Sequence, residues 1–150
     1  MMSFCEAGSK SECIEEIDHS NVLVQENGRK VNFQNPDRKQ YRRIKVDGCL
    51  VRQETIADWI VTEIGEASVI VELKGADVKK ACAQVFATVV HRDCTAWLEK
   101  KIGLLLVCSR VPSFDTSIAR AKIEARKKGL ALTVKCSKHD CAIADVTGGK

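Results

Sequence analysis

Two runs rich in Val and Ile, Trp59 to Ile64 and Ser68 to Leu73, flank a short polar turn at Gly65-Glu66, and this stretch limits the fold more than any other. β-Branched residues suit strands, and two such runs about a glycine turn suit an antiparallel hairpin. With Gly65 at the centre, Asp58 faces Glu72, Ile60 faces Ile70 and Thr62 faces Ser68. Strand side chains alternate between faces, so Lys74 projects on the same side as Glu72. The expectation is an Asp, a Glu and a Lys meeting at the open end of an apolar hairpin. Directly opposed like charges destabilise a sheet. Two readings follow: a site for a hard divalent cation such as magnesium or manganese, or an Asp58–Lys74 ion pair with Glu72 in solvent.

The segments on either side predict what surrounds the hairpin. Asp77 caps a helix running to about His91, with Val78, Ala81, Cys82, Val85 and Val89 as its buried stripe. Lys80, Gln84, Thr88 and His91 form the next stripe, half-exposed and bordering a cleft, and His91 has no visible catalytic partner. Ile102 to Cys108 is a continuous apolar run, read as a strand buried on both faces, which implies a crossover connection. A helix from Phe114 to Lys128 and a final strand from Leu130 to Lys135 follow. Before the hairpin, Ser9 to Asp18 reads as a short helix with capping-box spacing between Ser9 and Glu12. Asn21 to Phe33 reads as a hairpin about Asn27-Gly28, and Tyr41 to Val51 as one strand with a bulge at Asp47-Gly48. Asp47 is either an outer partner of the site or a surface acid. The sum is an α/β single domain over residues 1–150: a central mixed sheet flanked by helices, an extra N-terminal hairpin, and frayed tails at 1–8 and 142–150.

Composition narrows the function classes. With 150 residues and 45% hydrophobic side chains the chain can bury a sizeable core. There is no apolar run long enough to span a bilayer, and the start lacks a signal peptide's basic and apolar regions, so a cytoplasmic protein without a membrane partner is expected. Of eight cysteines, Cys49, Cys82 and Cys108 fall within apolar patterns, where cysteine acts as a small hydrophobe, so a reducing compartment is expected. The formal charge is only +4, yet basic residues cluster at Arg38, Lys39, Arg42, Arg43 and Lys45 and again at Arg120, Lys122, Arg126, Lys127 and Lys128. The clusters read either as two flanks of a phosphate backbone or as solvated faces. Cys136, His139 and Cys141 offer three zinc ligands without a fourth.

Asp58 followed by Glu72-Leu73-Lys74, with a helix after them, resembles the PD-(D/E)xK nuclease superfamily and its restriction-endonuclease-like fold. Ala57 stands where many members have proline. The resemblance implies a magnesium- or manganese-dependent nuclease acting on DNA. Asp58 and Glu72 would hold the metal with the Leu73 carbonyl, Lys74 would stabilise charge or position water, and Gln84 would face the metal from the helix. It also implies an additional acid from a first helix, among Glu12, Glu15 and Glu16, with Glu16 preferred. Nucleic acid would lie along Arg42, Arg43, Lys45, Lys80, Arg120 and Lys127, and a homodimer would serve both strands of a duplex. The alternatives are a catalytically inactive nucleic-acid-binding module of the same fold and an interaction protein whose hairpin acids are incidental.

Overall fold

The computed structural model describes residues 11–26, 28–73, 77–108, 116–136 and 138–148. A six-stranded mixed sheet lies at its centre. After a 3-10 turn at Ser11–Cys13 come β1 (Ile14–Ile17), the hairpin β2 (Asn21–Glu26) and β3 (Arg29–Gln34), then β4 (Tyr41–Lys45), β5 (Trp59–Glu63) and β6 (Ala67–Leu73). They are followed by α1 (Val78–Val90), α2 (Arg92–Thr95), β7 (Lys101–Cys108), α3 (Thr116–Lys127), β8 (Ala131–Cys136), β9 (Lys138–Cys141) and α4 (Ile143–Val146). The large sheet runs β1-β4-β5-β6-β7-β8, antiparallel from β1 to β6 and parallel from β6 to β8. Strand β6 is therefore the hinge of the topology, antiparallel on one edge and parallel on the other.

The expected pairing of the central hairpin is found: Ile60 faces Ile70 and Thr62 faces Ser68. Its turn is closed by Glu66 N–H donating to Glu63 O at 2.9 Å. Gly65 there has φ 87°, a conformation that side chains disfavour. Alternation sorts the apolar residues of the sheet into two cores. Ile44, Ile60, Ile70, Leu104 and Leu106 face Val78, Ala81, Cys82 and Val85 of α1 and Ala121 and Ala125 of α3. Val61, Val69, Val71, Leu73, Leu105 and Val107 face the other way, onto Val22, Val24, Val31 and Phe33 of the β2–β3 hairpin and Ile143 and Val146 of α4. Truncating a fully buried leucine such as Leu104 to alanine in either core costs about 2–5 kcal/mol.

Several expectations are corrected. The long helices α1 and α3 cover one face of the sheet; the extra hairpin and the short α4 cover the other, the hairpin as part of a second sheet β2-β3-β9 in which β9 pairs parallel to β3. The chain thus has a strand beyond the one expected to be last, and α4 buries Ile143 and Val146 where a frayed tail was expected. The glycine at 103 permits this: a Cβ there would stand 1.9 Å from Val146 O, so α4 backbone rests directly on β7. Residues 14–17 form a strand, not a helix; Ile14 packs in the helix-side core and Ile17 in the opposite one. The strand from Tyr41 stops at Lys45 and gives way to a tight turn, with Gly48 N–H donating to Val51 O at 2.9 Å and Val51 N–H to Val46 O at 2.9 Å. Cys13 and Cys49 form a disulfide, contrary to the expectation that the cysteines stay reduced, whereas Cys82, Cys94, Cys108 and Cys141 are buried thiols. No helix among the described residues is long and apolar enough to cross a membrane. Residues 1–8, and Phe114 of the expected helix, lie outside the described residues.

Candidate active site

Asp58 sits where β5 begins, and the ladder changes there. Trp59 is the register partner of Val71, yet Asp58 N–H also donates to Val71 O, at 3.2 Å. Two residues of one strand thus oppose one of the other, which is a bulge, and a bulge re-aims the side chain it carries. Asp58 Oδ2 accepts from Leu73 N–H at 2.8 Å, in the place where a backbone carbonyl would continue the ladder. The Asp58 carbonyl accepts from Val46 N–H at 2.9 Å, tying this residue to the turn after β4. Asp58 therefore joins β6 through its side chain and the β4 turn through its backbone.

The electrostatics around Asp58 come mostly from residues distant in sequence. Burial pushes its carboxyl above the ordinary aspartate range; the Leu73 N–H and the Lys45 ammonium pull it down, and Glu26 and Asp47 push it up further. Lys45 Nζ lies 2.5 Å from Glu26 Oε2 and 5.3 Å from the centre of the Trp59 ring. Glu26 belongs to the second sheet, and no local pattern in its neighbourhood pointed to it. Asp47, weighed as an outer partner, does act on Asp58.

Glu72 is fully buried, at 0% exposure, near the end of β6. It follows Ile70 on the helix-facing side and is the register partner of Leu106 in β7. Every residue of β6 is buried, so Glu72 is a carboxylate in a strand that is otherwise apolar apart from Ser68. Burying a carboxylate is costly unless it is paired or hydrogen-bonded. The bulge takes Asp58 out of the regular alternation, so the two acids are linked through Leu73 and not as an opposed ladder pair. Lys74 lies outside the described residues.

Gln84 was expected to be half-exposed; it is 4% exposed. Its Nε2 donates to Ile56 O at 3.0 Å, and its Oε1 is buried with no hydrogen-bond partner among the described residues. One turn on, Thr88 Oγ1 donates to Gln84 O at 2.7 Å and accepts from Ala57 N–H at 2.9 Å. Two side chains of α1 thus hold Ile56 and Ala57, the residues that deliver the chain to Asp58. Thr88 appeared in the sequence as a member of a polar stripe, with no signal of this role. His91, read as a helix-end residue without a catalytic partner, lies 3.2 Å from Glu54.

The remaining sequence candidates are dispersed. Glu16 is exposed on β1, where it opposes Arg42, and Arg42 opposes Thr62. That places Glu16 two strands over and four residues along from Asp58, on the order of 16 Å away. Glu15 is bonded to Arg43 and Glu12 lies in the 3-10 turn, so a first helix bringing an acid to Asp58 is not present among the described residues. Arg42, Arg43 and Lys45 do not make one basic face. Arg42 stacks over Trp97 at 5.1 Å, Arg43 reaches Leu23 O and Glu15, and Lys45 is held by Glu26. Lys80 on α1 and Arg120 and Lys127 on α3 are exposed. Cys141 is a core residue whose thiol burial pushes up to about 12, which argues against it as an open metal ligand; the side chains of Cys136 and His139 are outside the described set.

Comparison with protein families, curated proteins and solved structures finds no match to this chain.

Proposed function

We propose that the chain is a divalent-metal-dependent nuclease that hydrolyses phosphodiester bonds, with DNA as substrate. One observation carries the reading: the Asp58 carboxylate accepts from the backbone of Leu73, the middle residue of Glu72-Leu73-Lys74, so the acid that begins β5 is fixed against the Glu-x-Lys segment that ends β6. The order of a three-strand antiparallel meander, a helix and a parallel strand around these residues agrees with the resemblance. The donor chemistry fits magnesium or manganese, since Asp58, Glu72 and the Leu73 carbonyl offer hard oxygens. Burial, Glu26 and Asp47 work against the charged form of Asp58 while the Leu73 N–H and Lys45 favour it, and a bound cation would add to the favourable side. When bound, the ion would polarise the scissile phosphate and lower the pKa of an attacking water.

The chain's own residues supply orientation and charge. Asp58 and Glu72 hold the ion at the rigid end of a hairpin, and Gln84 and Thr88 position the backbone that leads into Asp58. Lys74 would stabilise the developing negative charge or position the water. Lys80, Arg120 and Lys127 are the exposed cations left for the phosphate backbone. A homodimer would place a second site at the other strand of a duplex, and sedimentation equilibrium tests it.

A catalytically inactive nucleic-acid-binding module is the second reading. It is favoured by one observation: no group of three His, Cys, Asp or Glu among the described residues is placed to hold a metal. Incubating purified protein with magnesium or manganese and with single- and double-stranded DNA and RNA separates the two. Metal-dependent cleavage lost in Lys74→Ala supports the nuclease; binding without cleavage under every condition supports the module.

A further inference from the structure

The described residues combine one disulfide with four thiols, and their placement differs. Cys82, Cys94 and Cys108 lie in the helix-side core and Cys141 in the opposite one, all buried. Cys49 is only partly buried, and its partner Cys13 is 6% exposed. Cys49 is therefore the more exposed residue of the pair.

This pair is attached to the site described above by a short chain of hydrogen bonds. Cys49 N–H donates to Val46 O at 3.1 Å, and Val46 N–H donates to Asp58 O at 2.9 Å. The flanking amides close the same turn: Leu50 N–H donates to Lys45 O at 3.2 Å and Val51 N–H to Val46 O at 2.9 Å. Lys45 and Asp47, whose charges act on Asp58, stand on either side of Val46. The other end of the disulfide, Cys13, closes the 3-10 turn just before β1, an edge strand of the large sheet. The bond thus ties the turn that follows Lys45 and carries Asp47 to the segment that leads into an edge strand.

We propose that Cys13 and Cys49 form a reversible thiol-modification site for low-molecular-weight disulfides of the glutathione type, and that closing the pair orders the turn that follows Lys45 and carries Asp47, next to Asp58. Its consequence for metal binding rests on the nuclease reading; the thiol chemistry does not. In the reduced chain the Cys49 thiolate attacks one sulfur of the small disulfide and expels one thiolate, leaving a mixed disulfide on Cys49. The Cys13 thiolate then attacks the Cys49 sulfur and expels the second. Two protein thiols lose two electrons, the small disulfide gains them, and the two protons pass to the two released thiolates. Reduction by excess small thiol runs the same steps backwards.

The test uses the full chain equilibrated in glutathione buffers from strongly reducing to oxidising, acid-quenched and mapped by differential alkylation and mass spectrometry. Expected are interconversion of Cys13 and Cys49 as a pair while Cys82, Cys94, Cys108 and Cys141 stay unmodified in the folded protein, and capture of Cys49 as the glutathione adduct in Cys13→Ser. Hydrogen exchange at Val46, Leu50 and Val51 should be about tenfold faster in the reduced form, with Val69 to Val71 unchanged, as for local opening without global unfolding. A pair that stays in one state throughout, or turn amides that exchange alike in both forms, overturns the proposal. Calorimetry with manganese tests the link to the site: binding weaker in the reduced form by about fivefold or more supports it, and equal affinity in both forms overturns it. Manganese binding to neither form overturns the metal reading itself, with the thiol site judged by alkylation and exchange.

Discussion

The two ends of the β5–β6 hairpin bury different kinds of polar group. At the turn end Thr62 and Ser68 are both fully buried, and their hydroxyls lie 2.8 Å apart. Glu99 N–H donates to Ser68 Oγ at 2.9 Å, and Glu99 Oε2 in turn accepts from Gly65 N–H at 2.9 Å. Neutral groups are paired there, and the pairing holds the turn against the segment before β7. At the open end the buried groups are carboxyls: Glu72 without exposure, and Asp58 pushed up by burial and by two neighbouring acids. Neutral hydroxyls bonded to each other serve stability at the turn end, whereas at the open end burial works against the charged form of Asp58; the proposed binding role concerns the open end.

The sharpest break between the ends is catalytic. Glu72→Gln and Lys74→Ala should each slow metal-dependent cleavage by about 10²–10³-fold, the cost of removing one charge-stabilising group, while binding to the same DNA remains measurable. Single-turnover assays alongside binding titrations check this. Ser68→Ala should do the reverse. It leaves Thr62 and the Glu99 amide short of a buried partner, for a loss of about 1–3 kcal/mol in denaturant unfolding, and leaves the cleavage rate per folded molecule unchanged.

The contacts that α1 makes behind Asp58 should give mixed effects. Thr88→Val strands the Ala57 amide and should lower stability by about 1–2 kcal/mol and also slow cleavage, with Thr88→Ser restoring both. Gln84→Ala, nearly neutral at an exposed helix position, is expected here to lower the melting temperature, because Gln84 is buried and bonded to Ile56. The smallest effect is expected for Arg43→Ala: its partner Glu15 is largely exposed, so the loss should stay under about 1 kcal/mol.

The legible parts of this chain were those set by local pattern. The hairpin pairing followed from two β-branched runs about a glycine, α1 from one apolar stripe and an Asp cap, and β7 from an uninterrupted apolar run. The errors arose where distant contacts decided. Ile14 and Ile17 have the spacing of one helix face, yet in a strand that spacing sends them to opposite faces, each finding a core. Pairing with β4, which sets Glu15 against Arg43 and Glu16 against Arg42, favours the strand over local helix preference. Cys49 looked apolar by its neighbours, and its bond to Cys13 spans 36 residues. Of the candidate site, spacing singled out Asp58 and Glu72 but not the bulge that keeps them from opposing each other, and Glu26 and Thr88 reach it through a second sheet and a helix that no local window contains.

The central claim is that Asp58 is kept for binding at the expense of stability, and the titration direction makes it measurable. The folded chain holds the Asp58 proton more tightly than the unfolded chain does. Without a cation, the associated stability is therefore complete below the ordinary aspartate pKa and is lost as pH rises through the raised native value. Asp58→Asn removes the charge while its amide oxygen can still accept from Leu73 N–H. Melting of both proteins from pH 3 to 8, with manganese calorimetry at pH 7, is the most direct test. The expected result is a variant that melts higher than the parent at pH 7 without metal, lacks the parent's loss of stability with rising pH, and binds no manganese. A variant that melts lower and binds manganese as the parent does would contradict the account.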